Sequence, residues 1–284
     1  MNDARDTLPL MLGTVQFGMD YGVANTTGKP SFDEVKAILR YAYDHGVAAL
    51  DTSSDYGDSE EVIGKALDEL GLLGRFQVVT KVSRVPEGRD PEEFYTESLN
   101  ESRRRLRIDV IPAVLLHDED ELPNLPALQT FVGKGLIGGA GISLDSAAFA
   151  TKADHVEYLQ VPCNAADHRF DRVFALPRKR TFIRSVYLQG MLVMPKEKIW
   201  MPEMLAARET LEGFGLPMPE LCMRYLLSMP GRPLVLTGVE RLAQLQENIR
   251  LAELGPLPTE LFQKVAAAIR LEERFVRPSC WRRP

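Results

Sequence analysis

The sequence predicts a (β/α)8 barrel: one TIM-barrel domain over residues 1–284, with an additional C-terminal helix and a tail at 272–284. Three observations lead there. Three apolar runs, VAALD at 47–51, FQVVTK at 76–81 and IPAVLLH at 111–117, each end on an ionisable residue: Asp51, Lys81 and His117. Short continuous apolar runs read as strands buried on both faces, as in a parallel sheet. Eight such runs alternate with helical or irregular chain, which is the repeat of a closed barrel and not of a doubly wound sheet. The length, 284 residues, suits one barrel. All carboxyl ends of a parallel barrel open onto one face, so titratable groups on successive strand ends meet in one pocket.

PLMLGTVQFG at 9–18 reads as the first strand, ending in a glycine-rich turn. Ser31 and Glu34 form a capping box for a helix whose apolar residues Val35, Ile38, Leu39 and Ala42 recur at helical spacing. Gly46 stops it, and strand 47–51 follows. Asp58 with Glu61 caps a second helix, with Gly71 past its end. After strand 76–81, Asp90, Pro91 and Glu93 start a helix running to about Leu106. Strand 111–117 leads to a helix in LPALQTFVGKG and a fifth strand in LIGGAGISL. VEYLQVPCN and TFIRSVYLQG read as strands six and seven. Helical stretches near 203–213 and 218–229 precede PLVLTGVE, the eighth strand. RLAQLQENIRLAEL is the eighth helix, and PTELFQKVAAAIRLEERF a terminal helix outside the repeat. The tail RPSCWRRP either stays mobile or folds over the pocket.

Composition narrows the function classes. A net charge of −6 argues against nucleic acid as the main partner, because phosphate binding wants a basic surface. Arg103-Arg104-Arg105 is the one dense basic run and reads as a solvated helix face. Cys163, Cys222 and Cys280 are too widely spaced for a disulfide framework or a zinc pattern, so no metal is expected. The start, MNDARDTLPL, has no apolar signal core, and no apolar run approaches the ~20 residues of a membrane span. A cytoplasmic protein without a membrane partner, monomer or homodimer, is the expectation.

The chemistry lies at the strand ends, with Tyr56 in the loop after Asp51 as the fourth participant. A phenol is a weak acid, with a reference pKa of ~10. A nearby ammonium lowers that value, and Lys81 supplies one. A buried ammonium needs a counter-charge, which Asp51 provides. His117 is then free to hydrogen-bond a substrate carbonyl oxygen. Such a set protonates an oxygen that is becoming an alkoxide, as hydride addition to a carbonyl requires. Singly, each residue has an ordinary structural reading, as cap, packing ring, surface charge or core histidine. Their conjunction on adjacent strand ends points to a site. His45, His155 and His168 show no such placement. No G-x-G-x-x-G and no Walker motif occurs, so a Rossmann site is not expected. A barrel instead seats phosphate in the loops after strands 7 and 8, here LQGML with Leu188 and Gly190, and TGVERLAQLQEN with Gly238.

These residues resemble the aldo/keto reductases over nearly the whole chain. LDTSSDYGDSEEVIGKAL resembles that family's motif with the catalytic aspartate and tyrosine. VVTKV and VLLHDED resemble its lysine and histidine strands, in the same order and at similar separations. The resemblance implies NAD(P)(H)-dependent interconversion of a small-molecule carbonyl and its alcohol. It implies Tyr56 as general acid/base, Lys81 and Asp51 as its tuners, and His117 as the carbonyl orienter. It places Gly13 and Thr14 beside the cofactor and Asp51 near the nicotinamide ribose. Ser143 and Gln160 match the residues that hold the nicotinamide amide. Glu247 and Asn248 match the adenine-end pair. LGTVQFGMDYGVAN also resembles a bacterial branch linked to sugar and surface-polysaccharide metabolism.

Three positions depart from the family pattern. Leu144 follows Ser143 where asparagine is common. Ser185 takes the place of the ring that stacks on the nicotinamide, with Tyr187 nearby. Gln244 aligns with an arginine that grips the extra phosphate of NADP, leaving Arg241 to contribute. NADP(H) is expected ahead of NAD(H). Two other function classes compete: a nucleotide-binding regulatory subunit with little turnover, and a lyase or aldolase using Lys81 as a Schiff-base amine.

Overall fold

The computed structural model describes residues 7–23, 25, 27–176 and 180–281. Eight strands form its centre: β1 (Leu10–Gly13), β2 (Ala49–Asp51), β3 (Gln77–Val82), β4 (Ala113–Leu116), β5 (Ala140–Ser143), β6 (Tyr158–Pro162), β7 (Arg180–Arg184) and β8 (Leu234–Gly238). Each pairs in parallel with its sequence neighbour, and β1 pairs with β8 to close the barrel. This is the expected (β/α)8 fold.

Side-chain alternation decides what the barrel holds. Met11, Ala49, Val79, Ala113, Leu115, Tyr158 and Phe182 fill the interior, with Leu234 and Leu236 packed against them. Tyr158 and Phe182 stack there with ring centroids 6.1 Å apart. Their strand neighbours Leu10, Leu12, Leu50, Val78, Leu159 and Ile183 belong to the larger core beneath the helices. Two residues beyond the interior layer, towards the carboxyl ends, the same inward face carries Gly13, Asp51, Lys81, His117, Gln160 and Gly238. The apolar plug thus forms the floor of a polar mouth.

The helices begin and end for local reasons, some of which the sequence misassigns. Helix Pro91–Leu106 starts as expected, with the Asp90 carboxylate accepting from Glu93 N at 2.9 Å. Helix Phe32–Asp44 has half of its expected box: Ser31 Oγ accepts from Glu34 N at 3.2 Å. The Glu34 carboxylate instead accepts from Leu242 N at 2.6 Å, capping helix Leu242–Glu253 across the barrel's closing seam. Asp58 does not cap helix Ser59–Glu69 through its side chain, because its carboxylate is ion-paired with Lys29.

Three boundaries also shift. β1 stops at Gly13, and Val15–Gly18 coil into one helical turn. β7 stops at Arg184: Ser185, Leu188 and Gln189 have φ of +66°, +49° and +52°, which extended chain cannot continue through. The terminal helix ends at Ala268, and Ile269 is extended as the chain crosses to bond Leu271 N to Ala166 O at 3.1 Å. The tail then folds over the mouth's rim. Arg277 pairs with Asp145 at 2.6 Å and with Glu119 at 3.3 Å, on the loops after β5 and β4. Trp281 packs edge-on against Trp200. The last three residues of the tail lie outside the described residues.

Phe182→Ala is expected to leave a void beside Tyr158 and cost about 3–5 kcal/mol of stability, read by urea denaturation.

Candidate active site

The strand register brings Asp51, Lys81 and Gln160 onto one inward face, and a tight loop returns Tyr56 to it. That loop is tied to β3: Thr52 N bonds Val79 O at 2.8 Å, and Ser54 N and Oγ bond Lys81 O at 3.1 and 3.0 Å. It also passes hard against the turn after β1. A Cβ on Gly18 would lie 1.8 Å from Tyr56 O, and one on Gly57 (φ +57°) would lie 2.4 Å from Gly18 O. Only glycine at both positions permits this crossing.

Lys81 is fully buried. Its ammonium donates to both Asp51 oxygens at 2.8 Å, to Thr52 O at 2.9 Å and to the Tyr56 hydroxyl at 3.2 Å. Burial is the largest single influence and drives a lysine towards neutrality, but the Asp51 carboxylate and the Tyr56 oxygen together outweigh it, and Lys81 is held above its ordinary value of 10.5. Tyr56 departs from the sequence expectation. Burial pushes the phenol above 10.0, and Asp51 adds to this; the Lys81 ammonium pulls the other way and only partly offsets it. In this state Tyr56 is a protonated phenol beside a cation.

The His117 ring sits edge-on to the Tyr56 ring, with centroids 5.6 Å apart. Its Nδ1 faces the Asp55 carboxylate at 2.9 Å and Ser53 Oγ at 3.3 Å. Asp51, Tyr56, Lys81 and His117 therefore share one mouth. Asp55, adjacent to Tyr56 and in contact with His117, escaped the sequence reading, since one more acid in an acidic loop gives no periodic signal.

The residues that the resemblance assigns to a nucleotide are less uniformly gathered. Ser143 Oγ donates to Gln160 Oε1 at 3.2 Å, and Gln160 Nε2 donates to Asp51 Oδ1 at 2.6 Å. These hydrogen bonds join Ser143 and Gln160 to the Lys81 cluster. Thr14 Oγ1 donates to Asp51 O at 2.8 Å, fixing the end of β2 beside Gly13. Gly238 has the Gln16 side chain over it, and a Cβ there would lie 2.7 Å from Gln16 Oε1. That Oε1 is buried without a hydrogen-bond partner. An orphan buried acceptor at the β1–β8 end, with the polar side chains of Ser143 and Gln160 at the ends of β5 and β6, fits a nucleotide rich in amide and hydroxyl groups.

Farther out, Leu188 is buried in the core. Ser185 O accepts from Asn164 Nδ2 at 3.1 Å. Tyr187 donates to Asn248 Oδ1 at 3.0 Å, tying the ring to the eighth helix. Glu247 is exposed and paired with Arg250. Gln244 is not placed as a free phosphate ligand: Oε1 accepts from Glu240 N and Arg241 N at 2.7 and 3.0 Å, and Nε2 donates to Glu240 Oε2 at 2.7 Å. Arg184 is a second residue the sequence did not reveal. It stands two positions beyond Phe182, so it falls on the inward face, and it bonds Leu144 O at 3.0 Å and Asp145 at 2.8 Å. The alternation within TFIRS was the available signal.

Comparison with known proteins shows the family. A sequence model described as the aldo/keto reductase family matches residues 9–174 and 195–270. An L-galactose dehydrogenase of Arabidopsis thaliana is 25% identical, over 95% of this chain and 94% of that protein. A D-arabinose 1-dehydrogenase of Saccharomyces cerevisiae is 33% identical over 50% of this chain; the match spans 44% of that relative, less than half its length. Among solved structures, an aldo-keto reductase from Bacillus halodurans in its holo form superposes with a TM-score of 0.74 at 23% identity, covering 93% of this chain and 94% of that one. An aldo/keto reductase from Klebsiella pneumoniae in complex with NADP and acetate gives 0.68 at 20% identity, covering 91% and 90%. These two likenesses show the fold. With the family match over most of its length, the chain belongs to the aldo/keto reductase family.

Proposed function

We propose that this chain is an NAD(P)(H)-dependent oxidoreductase that interconverts an aldehyde or ketone and its alcohol, with Tyr56 as general acid/base. One observation carries the reading: the buried Lys81 ammonium bridges the Asp51 carboxylate and the Tyr56 hydroxyl. When bound, the nicotinamide nucleotide supplies hydride to the carbonyl carbon or takes it from the alcohol. Ser143 and Gln160 are the residues for its amide, and Thr14 holds the Asp51 end of β2 beside it. In reduction Tyr56 gives its proton to the substrate oxygen. The phenolate that results lies 3.2 Å from the Lys81 ammonium, so that attraction matures only as the proton leaves. Asp51 keeps Lys81 charged for this role.

The same charge counts against the Schiff-base reading, which needs a neutral amine at Lys81. The substrate class proposed is a sugar-like or small carbonyl compound. The names of the two dehydrogenases above, for D-arabinose and L-galactose, support the sugar side of that choice. NADP(H) remains the nucleotide the resemblance favours. Arg241 is exposed at the start of the eighth helix, while the Glu34 carboxylate occupies the Leu242 amide there. A carboxylate at that helix end opposes a 2′-phosphate.

With NADPH or NADH and an aldehyde panel, Tyr56→Phe is expected to lower kcat by about 10²–10⁴-fold, followed by nicotinamide absorbance. Equal rates for the two proteins contradict the proposal. Tight nucleotide binding without turnover in the native chain favours the regulatory-subunit reading instead. Glu34→Gln, which keeps an acceptor on Leu242 N and removes the charge, is expected to lower KM for NADPH relative to NADH by about fivefold. An unchanged ratio places the 2′ position elsewhere.

A further inference from the structure

We propose that Asp55 is a positioning residue that fixes the proton of neutral His117 on Nδ1, so that His117 offers the substrate a hydrogen-bond donor only as an imidazolium. The inference rests on the reading of the site as a carbonyl–alcohol centre. It concerns a residue outside the four on which that reading stands.

The geometry leaves one consistent assignment. His117 Nδ1 lies 2.9 Å from Asp55 Oδ2. A carboxylate only accepts, so Nδ1 must carry the hydrogen unless Asp55 is itself protonated. Asp55 is held against protonation. Its hydrogen bond to His117 draws the carboxyl below its ordinary value of 3.8, against an opposing effect of partial burial. Ser83 Oγ donates to its other oxygen, Oδ1, and adds to that lowering. The Ser53 hydroxyl, 3.3 Å from Nδ1, does not reverse this, because the shorter contact to a charged oxygen is the stronger. Ser53 Oγ is itself anchored by Asp55 N at 3.1 Å. The loop thus clamps the imidazole through a side chain next to Tyr56 in sequence.

A neutral imidazole carries one ring hydrogen. With that hydrogen on Nδ1, Nε2 presents a lone pair. A carbonyl oxygen also presents lone pairs, so neutral His117 repels the substrate of reduction. Protonation at Nε2 turns the same atom into a donor that holds the carbonyl oxygen and the negative charge growing on it. Asp55 therefore couples His117's protonation to reduction: only the imidazolium offers the carbonyl oxygen a donor. The charged groups around the ring are Asp55 on the loop after β2, Lys81 on β3 beyond Tyr56, and the Arg84–Asp118 pair on the rim.

The test is long-range 1H–15N NMR of 15N-histidine-labelled protein over pH 5–9, with His117→Gln for assignment, alongside pH profiles of kcat/KM in both directions. The native chain is expected to show neutral His117 as the Nδ1–H tautomer. Reduction should fall about tenfold per pH unit above the titration those spectra report. Asp55→Asn offers an amide N–H to Nδ1 and should switch neutral His117 to Nε2–H. Its reduction profile should then stay level through the same range. An Nε2–H tautomer in the native chain overturns the proposal, and so does an Asp55→Asn protein with unchanged tautomer and profile. The spectra need no turnover, so failure of the oxidoreductase reading itself, seen as equal rates for Tyr56→Phe and native chain, is distinguishable.

Discussion

The site depends on one buried ion pair. Taking an ammonium and a carboxylate out of water costs several kcal/mol per ion, and their attraction repays it only with good geometry and further hydrogen bonds. Lys81 and Asp51 meet that condition. Two contacts at 2.8 Å join them, Thr52 O takes another N–H of the ammonium, and Gln160 donates to Asp51. The three N–H groups also serve the Tyr56 hydroxyl, the farthest of the four acceptors at 3.2 Å, so the phenol shares a donor and is held beside the charge. Remove either ion and the other becomes an unpaired buried charge. The pair therefore fixes the positions of the phenol and of the Gln160 amide together.

The barrel supplies what the pair cannot. Parallel register puts Gly13 beside Asp51, Asp51 beside Val79, and Lys81 beside Leu115, so positions far apart in sequence share a layer by geometry alone. The apolar floor of Met11, Val79, Tyr158 and Phe182 keeps water from below the pair and makes its electrostatics strong. The loop carrying Tyr56, Asp55 and Ser53 is fixed on one side by β3 and on the other by the glycine crossing at Gly18 and Gly57. Above it the tail's Arg277 joins Asp145, itself paired with Arg184, so the C-terminal segment closes part of the rim that substrate must pass.

Much of this was legible in the sequence where a pattern had one cause. Strands 47–51, 76–81 and 111–117 are buried on both faces, so their apolar runs are unbroken and their terminal charges conspicuous. The same signal overran at β7, because VYLQG is as apolar as a strand while its backbone turns left-handed at Ser185. Capping residues misled where tertiary partners competed. Glu34 and Asp58 have the right spacing for local caps, but a distant amide and Lys29 take their carboxylates. Asp55 and the Gln16 amide were invisible for a different reason: what each does is set by a neighbour more than twenty positions away, which no local window contains. The direction of the Tyr56 shift was misjudged because burial, which sequence cannot weigh, exceeds the pull of the ammonium.

The central claim, that Lys81 persists as a buried ammonium held by Asp51 against Tyr56, can be read directly from lysine 15Nζ and 13Cε resonances. Lys81 is expected to titrate above the 10.5 of an ordinary lysine, keeping its ammonium shifts to higher pH, since its proton is held more tightly. A midpoint below 10.5 would mean that burial outweighs the carboxylate, and the account of the site would not stand.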